Sequence, residues 1–289
     1  MSNAILSAED YLSIPRGENW LIKSLLPAGG AMLLYGDPKV GKSYAAIQLA
    51  LALSGAQDDW FGFPVVRPGP VVYVQLDTPA SLWAERLTDL RTAGHPIDLL
   101  YLADRETLKT WPFDILRPDH EQLLTESLRP LKPSAVIIDT LKESNSAEEN
   151  SNTEMQVVIA KLTAATQPAA LILVAHAKKP AQDSQPDLTN DNRGAGYVVG
   201  KMDAIVRFSK KGIYYTGRAI EEGAIKLDRS DDGFWEPSQA EAALEESIRS
   251  VLEDPTLTSL RERSRVLSCY TGRSEEACRS ILRRRGAGN

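Results

Sequence analysis

The residues best suited to chemistry lie between Gly36 and Ser43, where the chain reads GDPKVGKS. This run matches G-x-x-x-x-G-K-[ST], a loop in which glycines let successive backbone N–H groups curl around a phosphate. An apolar segment precedes it, and a helix is predicted after it whose N-terminus adds partial positive charge. The sequence therefore predicts a nucleotide-phosphate site. The predicted nucleotide contacts are Gly36, Asp37, Pro38, Lys39, Val40, Gly41, Lys42, Ser43 and Tyr44.

Side chains in and near this loop also predict a metal ion. Lys42 is expected to reach the β- and γ-phosphates, and Ser43 to give a hydroxyl oxygen to Mg²⁺. Asp139 ends the apolar run AVIID. A carboxylate at the end of a buried strand is costly without a partner, and Mg²⁺ is such a partner. We therefore expect ATP and Mg²⁺ to bind, with Ser43 and Asp139 as metal ligands; the alternative for Asp139 is a residue that starts a turn.

Short apolar segments alternating with helices must position these residues. Strands are predicted at 31–35, 70–76, 134–139 and 169–175, and helices at 42–54, 79–93 and 153–165. This alternation is typical of a parallel sheet covered on both faces. The predicted fold class is α/β, with a mainly parallel central sheet flanked by helices.

The pattern changes after residue 176. A polar loop is predicted at 178–192, followed by closely connected strands at 203–208, 212–216, 224–228 and 233–235 and by helices at 239–252, 260–269 and 274–284. The strands indicate an antiparallel extension of the sheet. The predicted organisation is an N-terminal arm at 1–30, a core at 31–237 and a C-terminal helical region at 238–289.

These motifs resemble those of the RecA-like hexameric ATPases, specifically the plasmid replicative helicases of the RepA type and, more distantly, the DnaB-type helicases. The resemblance covers roughly residues 18–236 and begins in ENWLIKSLLPAGGAMLLYGDPKVGKS. It implies a RecA-like core, a homo-oligomer, most simply a hexamer, that hydrolyses ATP at subunit interfaces, and helicase or translocase action on single-stranded DNA.

The resemblance also assigns two catalytic roles. Asp77, in QLDTP, stands where the family usually has a glutamate that activates the attacking water. From the residues alone, the alternative is that Asp77 caps the helix that follows it. His176, at the end of a predicted strand, matches the family's sensor of the γ-phosphate; the alternative is a structural histidine.

A DNA-binding loop and an arginine finger are implied in the same way. The loop at 180–196 matches the family's inner-channel loop, and the expected DNA contacts around it are Lys178, Lys179, Arg193 and Lys201. Its stretch 181–192 holds three Asp and no Lys or Arg, so a solvent loop is the alternative. Arg218 matches the finger that acts on a neighbour's nucleotide, with Arg207 as second candidate and a solvated arginine as the alternative.

Composition limits the remaining possibilities. The 289 residues carry a net charge of −6, whereas 261–289 hold eight Arg and three Glu, a local +5. Residues 257–285 are consistent with a DNA-binding helix-turn-helix or with a helical cap. No apolar run reaches the roughly 18 residues of a membrane span, and the N-terminus lacks a secretory signal, so a cytoplasmic location is expected. Cys269 and Cys278 are interpreted as buried or incidental.

Two other functions remain open at this point. One is a RecA-like ATPase that binds DNA without unwinding it, such as a recombination mediator or a helicase loader. The other is a regulatory nucleotide-binding module that acts through protein contacts, an option favoured by the acidic body and the poorly basic loop.

Overall fold

A computed structural model of the chain describes residues 6–14, 19–110, 112–177, 196–230 and 234–285. Its strands are β1 (Trp20–Ile22), β2 (Leu26–Pro27), β3 (Ala31–Gly36), β4 (Asp59–Trp60), β5 (Phe63–Pro64), β6 (Val71–Gln75), β7 (Leu100–Ala103), β8 (Ala135–Asp139), β9 (Ala170–His176), β10 (Ala204–Ser209), β11 (Gly212–Gly217), β12 (Gly223–Arg229) and β13 (Trp235–Pro237). Its α-helices are α1 (Ala8–Ser13), α2 (Lys42–Leu53), α3 (Ala80–Thr92), α4 (Arg105–Leu108), α5 (Pro118–Leu128), α6 (Asn152–Thr166), α7 (Gly196–Lys201), α8 (Gln239–Glu253), α9 (Leu260–Thr271) and α10 (Glu275–Arg284).

Nine strands form the central sheet in the order β13-β12-β11-β10-β3-β9-β8-β6-β7. The six strands from β10 to β7 run parallel, and β11, β12 and β13 extend the sheet antiparallel. Strand β9 lies between β3, which leads into the phosphate loop, and β8, which ends at Asp139. This arrangement confirms the predicted RecA-like α/β core with its antiparallel extension.

Both faces of the parallel strands are buried, which explains their continuous apolar sequences. On one face, residues such as Leu34 and Ile137 pack with α2 and the small strands β1, β4 and β5. On the other face, Leu33 and Val136 pack with α5 and α6. Helix α2 is apolar on nearly all sides because it lies inside the protein.

The segment that follows α1 belongs to the core. Strands β1 and β2 pair with each other, and Leu21, Ile22, Leu25 and Leu26 are buried in the cluster that surrounds α2. This part of the predicted arm therefore contributes to the body of the domain. Helix α1, by contrast, buries none of its residues.

The C-terminal helices form a small core of their own. Apolar residues of α8, α9 and α10, among them Leu267 and the buried Cys278, pack together, whereas Cys269 is exposed. Helix α10 is tied to the large domain by a hydrogen bond of 2.9 Å from Ser280 to Glu221. Part of the helix that would read DNA therefore contacts the core, and the helix-turn-helix stays a prediction. None of the helices in the described ranges is long and apolar enough to cross a membrane.

A buried glutamine joins α2 to the last strand of the sheet. Gln48 Nε2 donates to the carbonyl of Trp235, and the Trp235 backbone N–H donates to Gln48 Oε1, both at 2.9 Å. The amide thus pairs with β13 as another strand would, and it fixes that strand over the helix that starts at the phosphate loop.

We expect Gln48→Leu to lower the free energy of unfolding by about 2–4 kcal/mol, because it leaves two buried backbone groups of Trp235 unpaired. The measurement is urea denaturation followed by circular dichroism. Gln122→Leu, on an exposed face of α5, is the matched control and is expected to change stability by less than about 0.5 kcal/mol. Equal stability of the two variants would contradict the role of Gln48.

Candidate nucleotide site

The phosphate loop depends on two glycines. Gly41 is the N-cap of α2 and has a φ of 96°, a left-handed conformation that favours glycine. A Cβ at Gly41 would lie 2.9 Å from the indole ring of Trp235, and a Cβ at Gly36 would lie 2.2 Å from the carbonyl oxygen of Phe208. Since the buried indole and the strand backbone cannot move away freely, only glycine at both positions keeps the open cradle that a phosphate group requires.

Lys42 occupies the first turn of α2 with only 5% of its surface exposed. Its Nζ donates a hydrogen bond of 2.6 Å to the carbonyl of Asp37. Burial lowers the pKa of Lys42 to about 8, and the nearby carboxylates of Asp139, Asp37 and Asp77 oppose that shift. The lysine therefore lies among the carboxylates that the sequence assigned to the site.

Asp139 ends β8 in a buried position. Burial raises its pKa, and a hydrogen bond from Tyr73 is the largest influence that lowers it. Ser43 is also near enough to lower the pKa of Asp139. A hydroxyl and a carboxylate at this position fit Mg²⁺, which uses a few protein oxygens together with substrate phosphates. In the described part of the chain, no group of three or more His, Cys, Asp or Glu is placed to hold a metal ion.

Asp77 lies on the surface, two residues after the end of β6. Its backbone N–H donates to Gln75 Oε1 at 2.6 Å. Helix α3 begins at Ala80 with Pro79 as its N-cap, and no side chain caps it. The alternative interpretation of Asp77 as a helix cap is therefore wrong, and Asp77 is available at the same sheet edge as Asp139.

His176 lies between the phosphate loop and Asp139. In the parallel register, His176 pairs with Gly36, and the preceding Val174 pairs with Asp139. The backbone N–H of the next residue, Ala177, donates to the carbonyl of Gly36 at 2.9 Å. Strand β9 therefore links the end of the phosphate-loop strand to the segment that starts at residue 178.

The structure does not bring Arg218 to this site within one chain. Arg218 follows β11 at the amino edge of the parallel strands, where it forms an ion pair of 3.3 Å with Asp203 and donates to the carbonyl of Gly200. The side chain is 61% exposed. Arg207, the second candidate, is buried in β10 beside Tyr35.

Of the four expected DNA contacts, one lies within the described residues. Lys178, Lys179 and Arg193 lie outside the described residues. Lys201 is exposed at the end of α7, with its Nζ 5.3 Å from the ring centre of Tyr197. The contact of Lys201 with DNA stays a prediction.

Three features of the site were not predicted from the sequence. Tyr73 hydrogen-bonds Asp139, and Gln75 supports the backbone of Asp77. The Nε2 atom of Gln75 is buried and has no hydrogen-bond partner among the described residues. Both side chains lie in the apolar segment PVVYVQL, where their polarity was the one available signal.

The third feature surrounds Tyr44. Two guanidinium groups lie over its ring, that of Arg86 at 5.1 Å and that of Arg229 at 5.0 Å. A cavity of about 400 Å³ opens beside them, with Phe234 in its wall. The pattern of cations on an aromatic ring forms across three separate elements, so its spacing in the sequence carries no signal.

The fold and the site together define a RecA-like P-loop ATPase. The AAA domain family matches residues 2–182, and the chain belongs to this family. Among solved structures, it is similar to a KaiC-like protein from the hyperthermophilic archaeon Pyrococcus horikoshii OT3, with 14% identity, a TM-score of 0.47 and coverage of 73% of this chain and 91% of that one. None of the curated proteins compared with it matches.

Gly41→Ala is expected to weaken nucleotide affinity at least about tenfold, because a left-handed residue is strained and its Cβ meets Trp235. Equilibrium binding of a fluorescent ATP analogue measures the effect. Gly94→Ala is the matched control, since Gly94 also has a positive φ, 85°, but no atom lies within 4 Å of its added Cβ. The control is expected to lose about 1 kcal/mol of stability and no affinity. Equal nucleotide affinities in the two variants would contradict the close packing of the phosphate loop against Trp235.

The pKa of Lys42 predicts a pH dependence. Below about pH 8 the nucleotide-free protein holds a charged Lys42. Affinity for ATP should fall as the pH rises past about 8, because a neutral amine no longer attracts phosphates; bound phosphates raise the pKa and spread the loss over higher pH. Lys42→Arg, which stays charged, should show a flat affinity over this range. If the ATP affinity of the wild type changed with pH in the same way as that of Lys42→Arg, the predicted role of the Lys42 charge would be refuted.

The lowered pKa of Lys42 also predicts how the stability of the folded protein depends on pH. Between about pH 8 and the usual value of 10.5, the unfolded chain binds more protons at Lys42 than the folded chain does. The contribution of Lys42 to the stability of the nucleotide-free protein therefore increases with pH across this interval. Affinity and stability are thus expected to change in opposite directions.

Proposed function

We propose that this chain is an ATP-dependent DNA helicase or translocase of the RepA-like type, active as a homo-oligomer, most simply a hexamer. The observation that carries the proposal is the place of His176. It ends the strand between the phosphate loop and Asp139, and the chain leads from it directly into the segment with Lys178 and Lys179. A change at the γ-phosphate would therefore reach that segment through one residue.

Hydrolysis would follow from positioning and charge. Lys42 binds the β- and γ-phosphates once it exchanges the Asp37 carbonyl for phosphate oxygens. Ser43 and Asp139 would hold Mg²⁺, which would neutralise charge on the phosphates. Asp77 orients the attacking water, and Gln75 fixes the backbone that carries Asp77. Each role belongs to a residue at the carboxyl edge of the sheet.

The subunit interface is proposed on the position of Arg218. This exposed side chain lies away from the phosphate loop of its own chain. A finger that acts on a neighbouring nucleotide needs this combination of exposure and distance. In the oligomer, Arg218 would exchange Asp203 for the γ-phosphate of the next subunit, and Arg207, which is buried, is the less favoured candidate.

The rival function is a regulatory nucleotide-binding module. The observation in its favour is the stretch 181–192, which holds three Asp and no Lys or Arg. Such a segment contributes little of the phosphate neutralisation on which binding to single-stranded DNA depends. A module of this kind would hydrolyse ATP at a rate that DNA does not change.

The deciding experiment measures the ATPase rate with and without a single-stranded oligonucleotide. We expect clear stimulation by DNA, and no hydrolysis in Lys42→Ala. The double variant Lys178→Ala/Lys179→Ala should weaken DNA binding and reduce the slope of log affinity against log salt by roughly 0.7 for each DNA phosphate that is no longer neutralised.

Lys210 and Lys211 supply the matched control, because this adjacent pair is exposed in the turn between β10 and β11. Lys210→Ala/Lys211→Ala changes the charge equally and should leave the salt slope unchanged. An ATPase rate that DNA does not alter would favour the regulatory module. Stimulation without strand displacement would favour a DNA-binding ATPase that does not unwind.

A further inference from the structure

A buried tyrosine hydrogen-bonds the carboxylate of Asp139. Tyr73 lies in the middle of β6 with no exposed surface. The alternation of side chains along the neighbouring strands β6 and β8 places Tyr73 and Asp139 on the same sheet face. The Tyr73 hydroxyl donates to Asp139 Oδ2 at 2.6 Å, the length of a hydrogen bond to a charged acceptor.

The ring that carries this hydroxyl has little freedom. Trp83 of α3, itself 3% exposed, packs against Tyr73 with ring centres 4.7 Å apart and planes tilted by 55°. A hydroxyl on a ring packed in this way can donate in few directions. Asp139 therefore keeps one carboxylate orientation as long as Tyr73 and Trp83 stay packed.

Asp139 has a second carboxylate oxygen, Oδ1, which does not take part in the hydrogen bond with Tyr73. The influence of Ser43 and Lys42 on the pKa of Asp139 places both groups near this carboxylate. Tyr73 thus holds the Asp139 carboxylate from inside the fold, while Ser43 and Lys42 lie near it at the phosphate loop.

We propose that Tyr73 is a positioning residue for magnesium: its hydrogen bond keeps the Asp139 carboxylate in the orientation in which Asp139, together with Ser43, would hold the ion. The inference rests on the proposed function, since it concerns the metal used for ATP hydrolysis. Residues that hydrogen-bond a metal ligand typically change metal affinity by about 10–100-fold when they are removed.

Tyr73→Phe tests the role, because it keeps the ring against Trp83 and removes only the hydroxyl. The Mg²⁺ concentration for half-maximal ATPase is expected to rise about tenfold. Affinity for ATP measured in EDTA should stay unchanged, since no Mg²⁺ is then available for Asp139 to bind. If the substitution only disturbed the packing of the site, the affinity for Mg²⁺ and the affinity for ATP in EDTA would both become weaker.

Tyr215→Phe is the matched control. It removes the hydroxyl of another buried tyrosine in the same apolar cluster, on β11, and should leave the Mg²⁺ dependence unchanged. Trp83→Leu keeps the hydroxyl of Tyr73 but loosens the ring, so a smaller decrease in Mg²⁺ affinity is expected; this variant decides the matter if Tyr73→Phe does not fold.

The possible outcomes distinguish failure of the positioning role of Tyr73 from failure of the proposed ATP-hydrolysing function. If wild type hydrolyses ATP with Mg²⁺ and neither Tyr73→Phe nor Trp83→Leu shifts the Mg²⁺ requirement relative to Tyr215→Phe, the positioning role is overturned. If wild type itself binds Mg²⁺–ATP but does not hydrolyse it, the proposed function fails; the inference is then judged on Mg²⁺-dependent nucleotide binding in the same variants.

Discussion

Lys42 carries a positive charge into a helix whose remaining residues are almost all apolar and buried. An ammonium group removed from water in this way costs several kcal/mol unless charges and hydrogen bonds offset the penalty. The carbonyl of Asp37 and the carboxylates of Asp139 and Asp77 offset part of that penalty. They come from different strands, so the position of Lys42 is stable only in a sheet whose strands end together at one edge.

The strand order also sets the size of the site. Because β9 separates β3 from β8, the phosphate loop and Asp139 are two strand spacings apart, roughly 9–10 Å. That gap has room for terminal phosphates and a metal ion, and His176 ends the strand in the middle of it. On the outer side, Trp235 packs against Gly41 and is tied to Gln48, so the antiparallel extension supports the same loop.

The sequence predicted the parts of this arrangement that depend on local pattern. Strands buried on both faces, the phosphate loop and the helix after it were placed within one or two residues, whereas the edge strand β7 was missed because its residues are half exposed. The role of Tyr73 could not be predicted, since its partner Asp139 is distant in sequence and only the pairing of β6 with β8 joins them. The cap interpretation of Asp77 failed because α3 starts three residues further on, behind Pro79.

The position of Arg218 bears on why such a site would be shared between subunits. Gly217 pairs with Ala204, which pairs with Met32 near the amino end of β3, about four residues or roughly 13 Å from Gly36. A side chain that begins there, paired with Asp203, does not reach phosphates at the opposite edge of its own sheet. Charge that develops on the γ-phosphate beyond what Lys42 and Mg²⁺ would neutralise needs a further cation. In the oligomer that we propose, the amino edge of one subunit would meet the carboxyl edge of the next, so Arg218 of one subunit would complete the nucleotide site of its neighbour.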